Sequence, residues 1–124
     1  MAKGEVMAMT DEALQIKAAE LMGWENIVAH WYTNSELKGV YGNLPGYQLC
    51  SVPNYPNDIS AAWELVEKAH LSLIRVPMDD EWRCGHMDGS HINDEYWWEM
   101  FYAKDSLAPR AITRAFIMAM DRQL

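Results

Sequence analysis

The segment NYPNDISAAWELVEKA, residues 54–69, carries the strongest secondary-structure signal in the chain. Pro56 is unfavourable inside a helix, and Asn57 or Asp58 can cap a helix that begins just after it. Apolar residues then recur at the i, i+3, i+4, i+7 spacing of an amphipathic helix: Ile59, Ala62, Trp63 and Val66. The sequence therefore predicts a helix from residue 58 or 59 to about 69, with these four side chains facing the core.

The residues before this segment predict one helix, one strand and a long loop. Thr10 is a suitable N-cap for a helix that runs to about Met22, and residues 1–9 are expected to be a loose lead-in. Residues 26–33 are rich in β-branched and aromatic side chains, which favours a short strand. Residues 34–57 contain glycine, proline and tyrosine without periodicity, so we expect a long irregular loop there.

Three strands and a last helix are predicted after the segment. The strands are residues 71–77, 81–87 and 96–103. The acidic sequence MDDE forms the turn between the first two strands, and the last helix begins near Ser106 with Pro109 in its first turn, where proline is tolerated. The order α-β-α-β-β-β-α predicts a single α+β domain over residues 1–124. We expect a mostly antiparallel sheet of about four strands packed by about three helices, sandwich-like in arrangement.

Length and composition limit the class of protein. The chain has 124 residues, half of them hydrophobic, which is enough for one domain with its own core. No apolar run approaches the roughly 18–20 residues of a membrane-spanning helix, and the first residues lack the apolar core of a signal peptide. We therefore expect a cytoplasmic protein whose cysteines, Cys50 and Cys84, are reduced.

The charge is strongly acidic and unevenly distributed. The chain carries 18 acidic and 10 basic residues, a formal net charge of −8, which argues against binding to a nucleic-acid duplex. Residues 79–105 hold eight acidic and two basic side chains. Four of these acids are candidate partner-binding residues: Asp79, Asp80, Glu81 and Asp88. The alternative interpretation is a solvated acidic surface that only maintains solubility.

Tyrosines in the 34–57 loop are a second candidate for partner binding: Tyr41, Tyr47 and Tyr55. Tyrosine and tryptophan offer a large contact area at a small entropic cost, so they are favoured at binding surfaces. The alternative for each of them is packing within the core or the loop. Because the chain has more aromatic residues than a core of this size needs, we expect part of this set to be exposed.

No pattern of catalytic or metal-binding residues stands out. Cys84, His86 and His91 are the closest approach to a metal site, with Cys50 as a distant fourth residue. Structural zinc sites usually have two pairs of closely spaced ligands, so we interpret these residues as ordinary strand and turn positions. The sequence also lacks a nucleophile elbow and a phosphate-binding loop. We therefore predict no catalytic residue, no metal and no cofactor.

Three segments carry a resemblance to a known family. They are MTDEALQIKAAELMGW (residues 9–24), NYPNDISAAWELVEKA (54–69) and APRAITRAFIMA (108–119). In this order and spacing they resemble the phage ABA sandwich domain family, small proteins encoded by phages and prophages. The resemblance implies a sheet packed by helices, an accessory role, and a location in the cytoplasm of an infected bacterial cell. It implies no catalytic residue.

The leading functional hypothesis is a non-enzymatic phage protein that acts by binding. It would inhibit a bacterial defence system, as an anti-CRISPR protein does when an acidic and aromatic surface blocks a nucleic-acid-binding protein. One alternative is a sponge for a nucleotide signal, with Arg75, Arg110 or Arg114 holding phosphates. Another is a small oligomeric structural protein whose residues 96–102, YWWEMFY, form a homo-oligomer interface. The remaining alternative is a small nucleotide hydrolase.

Overall fold

The computed structural model describes residues 3–29, 39–85 and 101–121. These ranges contain four α-helices: α1 (Lys3–Met7), α2 (Asp11–Leu21), α3 (Ile59–Ala69) and α4 (Ala108–Asp121). They also contain six strands: β1 (Glu25–Ala29), β2 (Val40–Asn43), β3 (Cys50–Ser51), β4 (Ser72–Val76), β5 (Glu81–Gly85) and β6 (Phe101–Asp105). A 3₁₀ turn, Pro77–Asp79, follows β4.

The described strands form two antiparallel sheets, which corrects the expectation of one sheet of about four strands. The first sheet has the order β1-β2-β3 and the second has the order β4-β5-β6. Strands β2 and β3 lie within residues 34–57, where we predicted an irregular loop, so that prediction is wrong for these positions. These strands have only four and two residues, too few for a periodic pattern to emerge from the sequence.

Two helices connect the sheets through their packing. Helix α2 contacts β1 and β2 of the first sheet, whereas α4 contacts β5 and β6 of the second. The two helices also pack against each other, so contacts run from sheet to helix to helix to sheet. This mixed architecture confirms the α+β class, and helices packed against two antiparallel sheets fit the predicted sandwich-like arrangement.

Helices α2 and α3 begin at the capping residues that the sequence indicates. The Thr10 hydroxyl accepts a hydrogen bond from Ala13 N at 3.2 Å, and the Asp58 carboxylate accepts one from Ser60 N at 2.9 Å. Each bond pairs an N–H group that the first helical turn leaves without a backbone acceptor. Helix α3 ends at His70, whose backbone is left-handed with φ 53°. The predicted starts of both helices are confirmed.

The N-terminal residues are more ordered than expected. Residues 3–7 form α1, and Val6 has no exposed surface. Helix α1 packs against α4, so Val6 contributes to the core instead of lying in a loose lead-in. The sequence interpretation was wrong here because a single buried valine in a one-turn helix leaves no periodic pattern.

Helix α4 lies at the centre of the helical packing. It begins at Ala108, two residues after the predicted start near Ser106, and Pro109 lies in its first turn as predicted. It contacts α1, α2, α3, β5 and β6. Its buried residues extend beyond one stripe: Ala111, Ile112, Thr113, Ala115, Phe116, Ile117, Met118 and Ala119. Burial on all sides is expected of a helix inside a core rather than at a surface. Thr113 satisfies its hydroxyl by donating to Pro109 O at 2.7 Å.

Helix α3 has the predicted bounds but presents a different face to the core. Ile59 and Trp63, which we assigned to the core, are each 48% exposed. The buried residues of α3 are Ala61, Ala62, Leu65 and Ala69. Three of these four are alanines, whose small side chains allow α3 to approach α4 closely, whereas a tryptophan between the helices would hold them apart. The buried face is therefore rotated by about one residue position from the predicted stripe.

The remaining predicted elements are confirmed where they can be compared. Strands β4 and β5, with the turn between them, occupy most of residues 71–87. The strand predicted at 26–33 is present as β1, although residues 30–33 lie outside the described ranges. Strand β6 begins at Phe101, within the predicted 96–103 segment, and residues 96–100 again fall outside. Among the helices described, none is long and apolar enough to cross a membrane.

Candidate functional site

The connection between β2 and β3, residues 44–49 and hereafter the β2–β3 loop, is exposed along its whole length. It turns tightly, since Tyr47 N donates to Leu44 O at 3.0 Å and Gly46 adopts a positive φ of 83° that suits glycine. The turn projects three large apolar side chains: Leu44, Tyr47 and Leu49, which are 36%, 74% and 37% exposed. An exposed apolar cluster on a surface loop is a feature of binding sites.

The three candidate tyrosines are in different environments. Tyr47 is exposed in the β2–β3 loop, as predicted, whereas Tyr41 is half-buried on β2. Tyr55 is only 1% exposed, which corrects its assignment to the binding surface. Burial raises the pKa of the Tyr55 hydroxyl to about 12, and a side-chain hydrogen bond with Trp24 opposes this shift. Tyr55 belongs to the core, so it is unavailable to a partner.

The predicted acidic residues 79–81 lie at the turn between β4 and β5, and they are not free charges. Arg83 donates to Asp79 at 3.1 Å and to Glu81 at 2.9 Å. Arg75 pairs with Asp80 and lies over the Trp82 ring, 5.6 Å from its centroid. We call these five charged residues the acidic hairpin: Asp79, Asp80, Glu81, Arg75 and Arg83. Three carboxylates against two guanidinium groups leave it with a formal charge of −1.

Ion pairing weakens the acidic hairpin as a mimic of nucleic acid. A phosphate backbone carries one negative charge per nucleotide, balanced only by exchangeable counterions, whereas here the hairpin's own arginines neutralise most of the charge. Met78, which precedes these acids in the turn, is an apolar tip of the hairpin, and its side chain is 95% exposed. The fourth predicted acid, Asp88, lies outside the described residues. Tyr41 and Tyr47 belong to the first sheet and its β2–β3 connection, whereas the acids belong to the second sheet and its β4–β5 turn.

The possible metal ligands are divided between core and surface. Cys84 is fully buried on β5, and burial raises the pKa of its thiol to about 12, so it holds its proton. Thiolate, not thiol, is the metal-binding form. Cys50 is exposed on β3, in the other sheet, while His86 and His91 lie outside the described residues. Within residues 3–29, 39–85 and 101–121, no group of three His, Cys, Asp or Glu side chains could hold a metal ion.

The two arginines of α4 form an ion-pair network instead of a phosphate pocket. Arg110 donates twice to Asp11 at the start of α2, from Nε at 3.0 Å and from a terminal nitrogen at 3.1 Å. It also lies 3.6 Å from Asp105 at the end of β6, which Arg114 contacts as well. The Arg110 guanidinium lowers the pKa of Asp11. The network joins α2, β6 and α4, so its first effect is on the packing of these elements.

Sequence reasoning missed one exposed apolar feature, the outer face of α3. Ile59 and Trp63 are half exposed there and, with Ser60, line an open cavity of about 370 Å³. The signal that could have found it is a second apolar row on the adjacent face of the same helix. Ala61, Leu65 and Ala69 repeat every four residues, and a stripe of this kind favours close packing between helices.

The comparisons with known proteins identify the family. The phage ABA sandwich domain family matches residues 15–117 of the 124. This match spans most of the chain, including α3 and most of α2 and α4, and the chain belongs to this family. It is thereby a phage-associated protein. Searches of curated proteins and of solved structures found no match.

Proposed function

We propose that this protein acts by binding a protein of the bacterial host and thereby inhibits a bacterial defence system. The supporting observations are its membership of a phage family and the exposed β2–β3 loop. A phage protein that works by binding needs a surface that another protein can desolvate, and the loop offers one. We assign the loop as the principal contact and the acidic hairpin as a second, weaker one.

Tyr47 carries this proposal. Its side chain is 74% exposed on a loop that a turn hydrogen bond and the adjacent strands hold in place. A tyrosine on an ordered loop loses little conformational entropy on binding, while it can bury an aromatic ring and satisfy its hydroxyl with the partner. Leu44 and Leu49 flank it and would exclude water around the contact, an arrangement typical of binding hot spots.

The acidic hairpin would act through its apolar tip as well as its charge. Met78 is almost fully exposed, and methionine adapts its shape to irregular partner surfaces. Residues Asp79 and Asp80 beside it would favour a partner with basic residues, such as a nucleic-acid-binding defence protein. Arg75 and Arg83 neutralise much of the negative charge of the hairpin. We therefore expect the β2–β3 loop to contribute most of the binding free energy and the charge of the hairpin to contribute less.

A protection assay tests the proposal. Bacteria that carry a defined defence system would express the protein and then be challenged with a phage that the system restricts. We expect phage to plate at least about tenfold more efficiently when the wild-type protein is present. The double variant Leu44→Ser/Tyr47→Ser should give no such increase and should no longer bind the defence complex in a pull-down. Leu107→Ser is the matched control, because Leu107 is 44% exposed and lies before α4. Equal activity of the loop variant and wild type would contradict the proposal.

The contribution of charge is tested with Asp79→Asn/Asp80→Asn. Asn tolerates the left-handed backbone that Asp80 adopts at φ 49°, so this variant removes charge without straining the turn. We expect a weaker complex with a reduced dependence on salt concentration. Binding that is unchanged at low salt would exclude a contribution of charge and leave the apolar side chains of the loop and of Met78 as the contact.

Calorimetry separates this proposal from the nucleotide-sponge alternative. Each of the three arginines that could hold a phosphate in the sponge already donates to a carboxylate: Arg75 to Asp80, Arg110 to Asp11, and Arg114 to Asp105. A nucleotide phosphate would have to displace those partners. We expect no heat of binding from cyclic nucleotides, and a saturable heat that is lost in Arg110→Gln would favour the sponge.

A further inference from the structure

The outer face of α3 carries an apolar patch that the core does not use. Ile59 and Trp63 lie one helical turn apart, and about half of each side chain is exposed. Together with Ser60 they line an open cavity of about 370 Å³. This volume is at the lower end of the ~300–1,000 Å³ that small-molecule sites occupy. It is large enough for one or two apolar side chains from another molecule.

Acidic residues continue the same face. Residues four apart align along a helix, so Glu67 follows Ile59 and Trp63 in one row, while Glu64 follows Ser60 in the neighbouring row. Both glutamates are exposed. Lys68, the single basic residue of α3, lies after Glu64 in that row, so the face carries two acidic residues and one basic residue. The face therefore has an apolar end that begins with Ile59 and a mostly acidic end.

We propose that the outer face of α3 binds a basic amphipathic segment of another protein. Apolar side chains of that segment would pack on Ile59 and Trp63, and its lysines or arginines would lie beside Glu64 and Glu67. Exposed tryptophan is among the residues most enriched in binding hot spots. The complementary charge selects the partner, since an acidic segment would be repelled both by this face and by the net charge of −8.

This inference does not depend on the proposed function. The α3 face and the β2–β3 loop lie on different elements, and each can fail its test while the other passes. A substitution in one should leave the other intact. In particular, Leu44→Ser/Tyr47→Ser should bind a basic amphipathic segment as tightly as wild type does.

A synthetic peptide provides a defined probe. We would use a short helical peptide with leucines along one side and lysines along the other, and a matched peptide with glutamates in place of the lysines. Isothermal calorimetry with the full chain would measure both affinities at low and at physiological salt. We expect the lysine peptide to bind, with an affinity that falls as salt rises, and the glutamate peptide to give no heat.

Three variants identify the binding face. Trp63→Ser should weaken binding about tenfold or more, because it removes the aromatic contact. Glu64→Lys/Glu67→Lys should weaken binding to a similar extent. Because this variant keeps Trp63, it still tests the face if Trp63→Ser does not fold. Glu5→Lys/Glu20→Lys is the matched control, since it changes the net charge equally at two exposed positions on other helices. It should bind the peptide nearly as well as wild type.

Several results would overturn the inference. One is the absence of binding by wild type, and another is equal binding by Trp63→Ser and wild type. An equal loss of binding in the control would mean that only the overall charge attracts the peptide. Light scattering adds one more case: a dimer of wild type that Trp63→Ser converts to a monomer would identify a second copy of this chain as the occupant.

Discussion

At the scale of single residues, Tyr55 shows how the environment determines a side chain's role. It is one of three tyrosines in a segment without periodicity, and nothing in its neighbours distinguishes it from Tyr47. The structure buries Tyr55 almost completely and exposes most of Tyr47. The difference arises from residues distant in sequence, including Trp24, which contacts the Tyr55 hydroxyl.

The raised pKa of Tyr55 predicts a loss of stability at alkaline pH. The unfolded tyrosine ionises near pH 10, whereas the buried one keeps its proton up to about 12. Its stabilising contribution is therefore complete below pH 10 and is lost as the pH rises toward 12. We expect the free energy of unfolding, measured with urea across this range, to fall less steeply in Tyr55→Phe than in wild type. Buried Cys84 contributes a similar loss that begins near pH 9 and remains in this variant.

Tyr47→Phe is the matched control for this measurement. It removes the same hydroxyl from a side chain that is mostly exposed, so its alkaline slope should equal that of wild type. If Tyr55→Phe and Tyr47→Phe behave alike, Tyr55 does not retain its proton in the folded state.

At the scale of elements, one ion pair fixes α2 against α4. Asp11 and Arg110 form two hydrogen bonds across 99 residues of sequence, and Asp11 also lies in the first turn of α2, where a negative charge is favourable. Arg110 lowers the pKa of Asp11 below its ordinary 3.8. The ion pair therefore contributes stability above about pH 4 and loses it as the pH falls below that value.

We expect Asp11→Asn to lower the free energy of unfolding by about 0.5–1 kcal/mol near neutral pH, a modest amount because the pair is partly exposed. The variant should also lose less stability than wild type between about pH 5 and pH 3. Urea unfolding over this range checks both effects. Glu20→Gln, which weakens a 3.9 Å contact with Lys17, is the control and should retain the wild-type acid dependence.

The rotated face of α3 gives a second prediction for elements. Leu65 is fully buried, so Leu65→Ala should cost about 2–5 kcal/mol of unfolding free energy through lost contacts and a cavity. Trp63→Ser should cost only about 1 kcal/mol, because half of the larger side chain is already exposed. Thermal or urea unfolding compares the two. The opposite ranking would mean that the sequence interpretation, with Trp63 in the core, was right.

At the scale of the whole molecule, α4 makes the fold interdependent. It contacts the other three described helices and the second sheet, and α2 extends those contacts to the first sheet. We expect the chain to unfold in one transition, with far-UV circular dichroism and tryptophan fluorescence giving the same midpoint. Phe116→Ala, at a fully buried position of α4, should lower the stability by about 3–5 kcal/mol and shift both signals together. Separate midpoints would show that the sheets unfold independently.

The exposure of the candidate binding residues was only partly predictable from the sequence. Tyr47 and the acids Asp79 and Asp80 lie at the surface as expected, because turn chemistry places such residues there. The ion pairs of these acids with Arg75 and Arg83 were not predicted, since they depend on how the turn after β4 places its carboxylates beside the two strands. The α3 patch was missed altogether. Hydrophobic periodicity identifies the buried face of a helix only when the other face is polar. Helix α3 has apolar residues on two faces, so the pattern alone does not show which of them is buried.

By itself, the sequence determined the family, the α+β class, the starts of α2 and α3, and the start of α4 to within two residues. These follow from local chemistry: Thr10 and Asp58 cap their own helices, and Pro109 is tolerated only in a first turn. Only the tertiary structure decided that the strands form two sheets, that Tyr55 is buried, and that Trp63 is exposed. Each of these depends on contacts between distant residues. Above all, the close approach of α3 to α4 favours alanine at the interface and leaves the tryptophan at the surface.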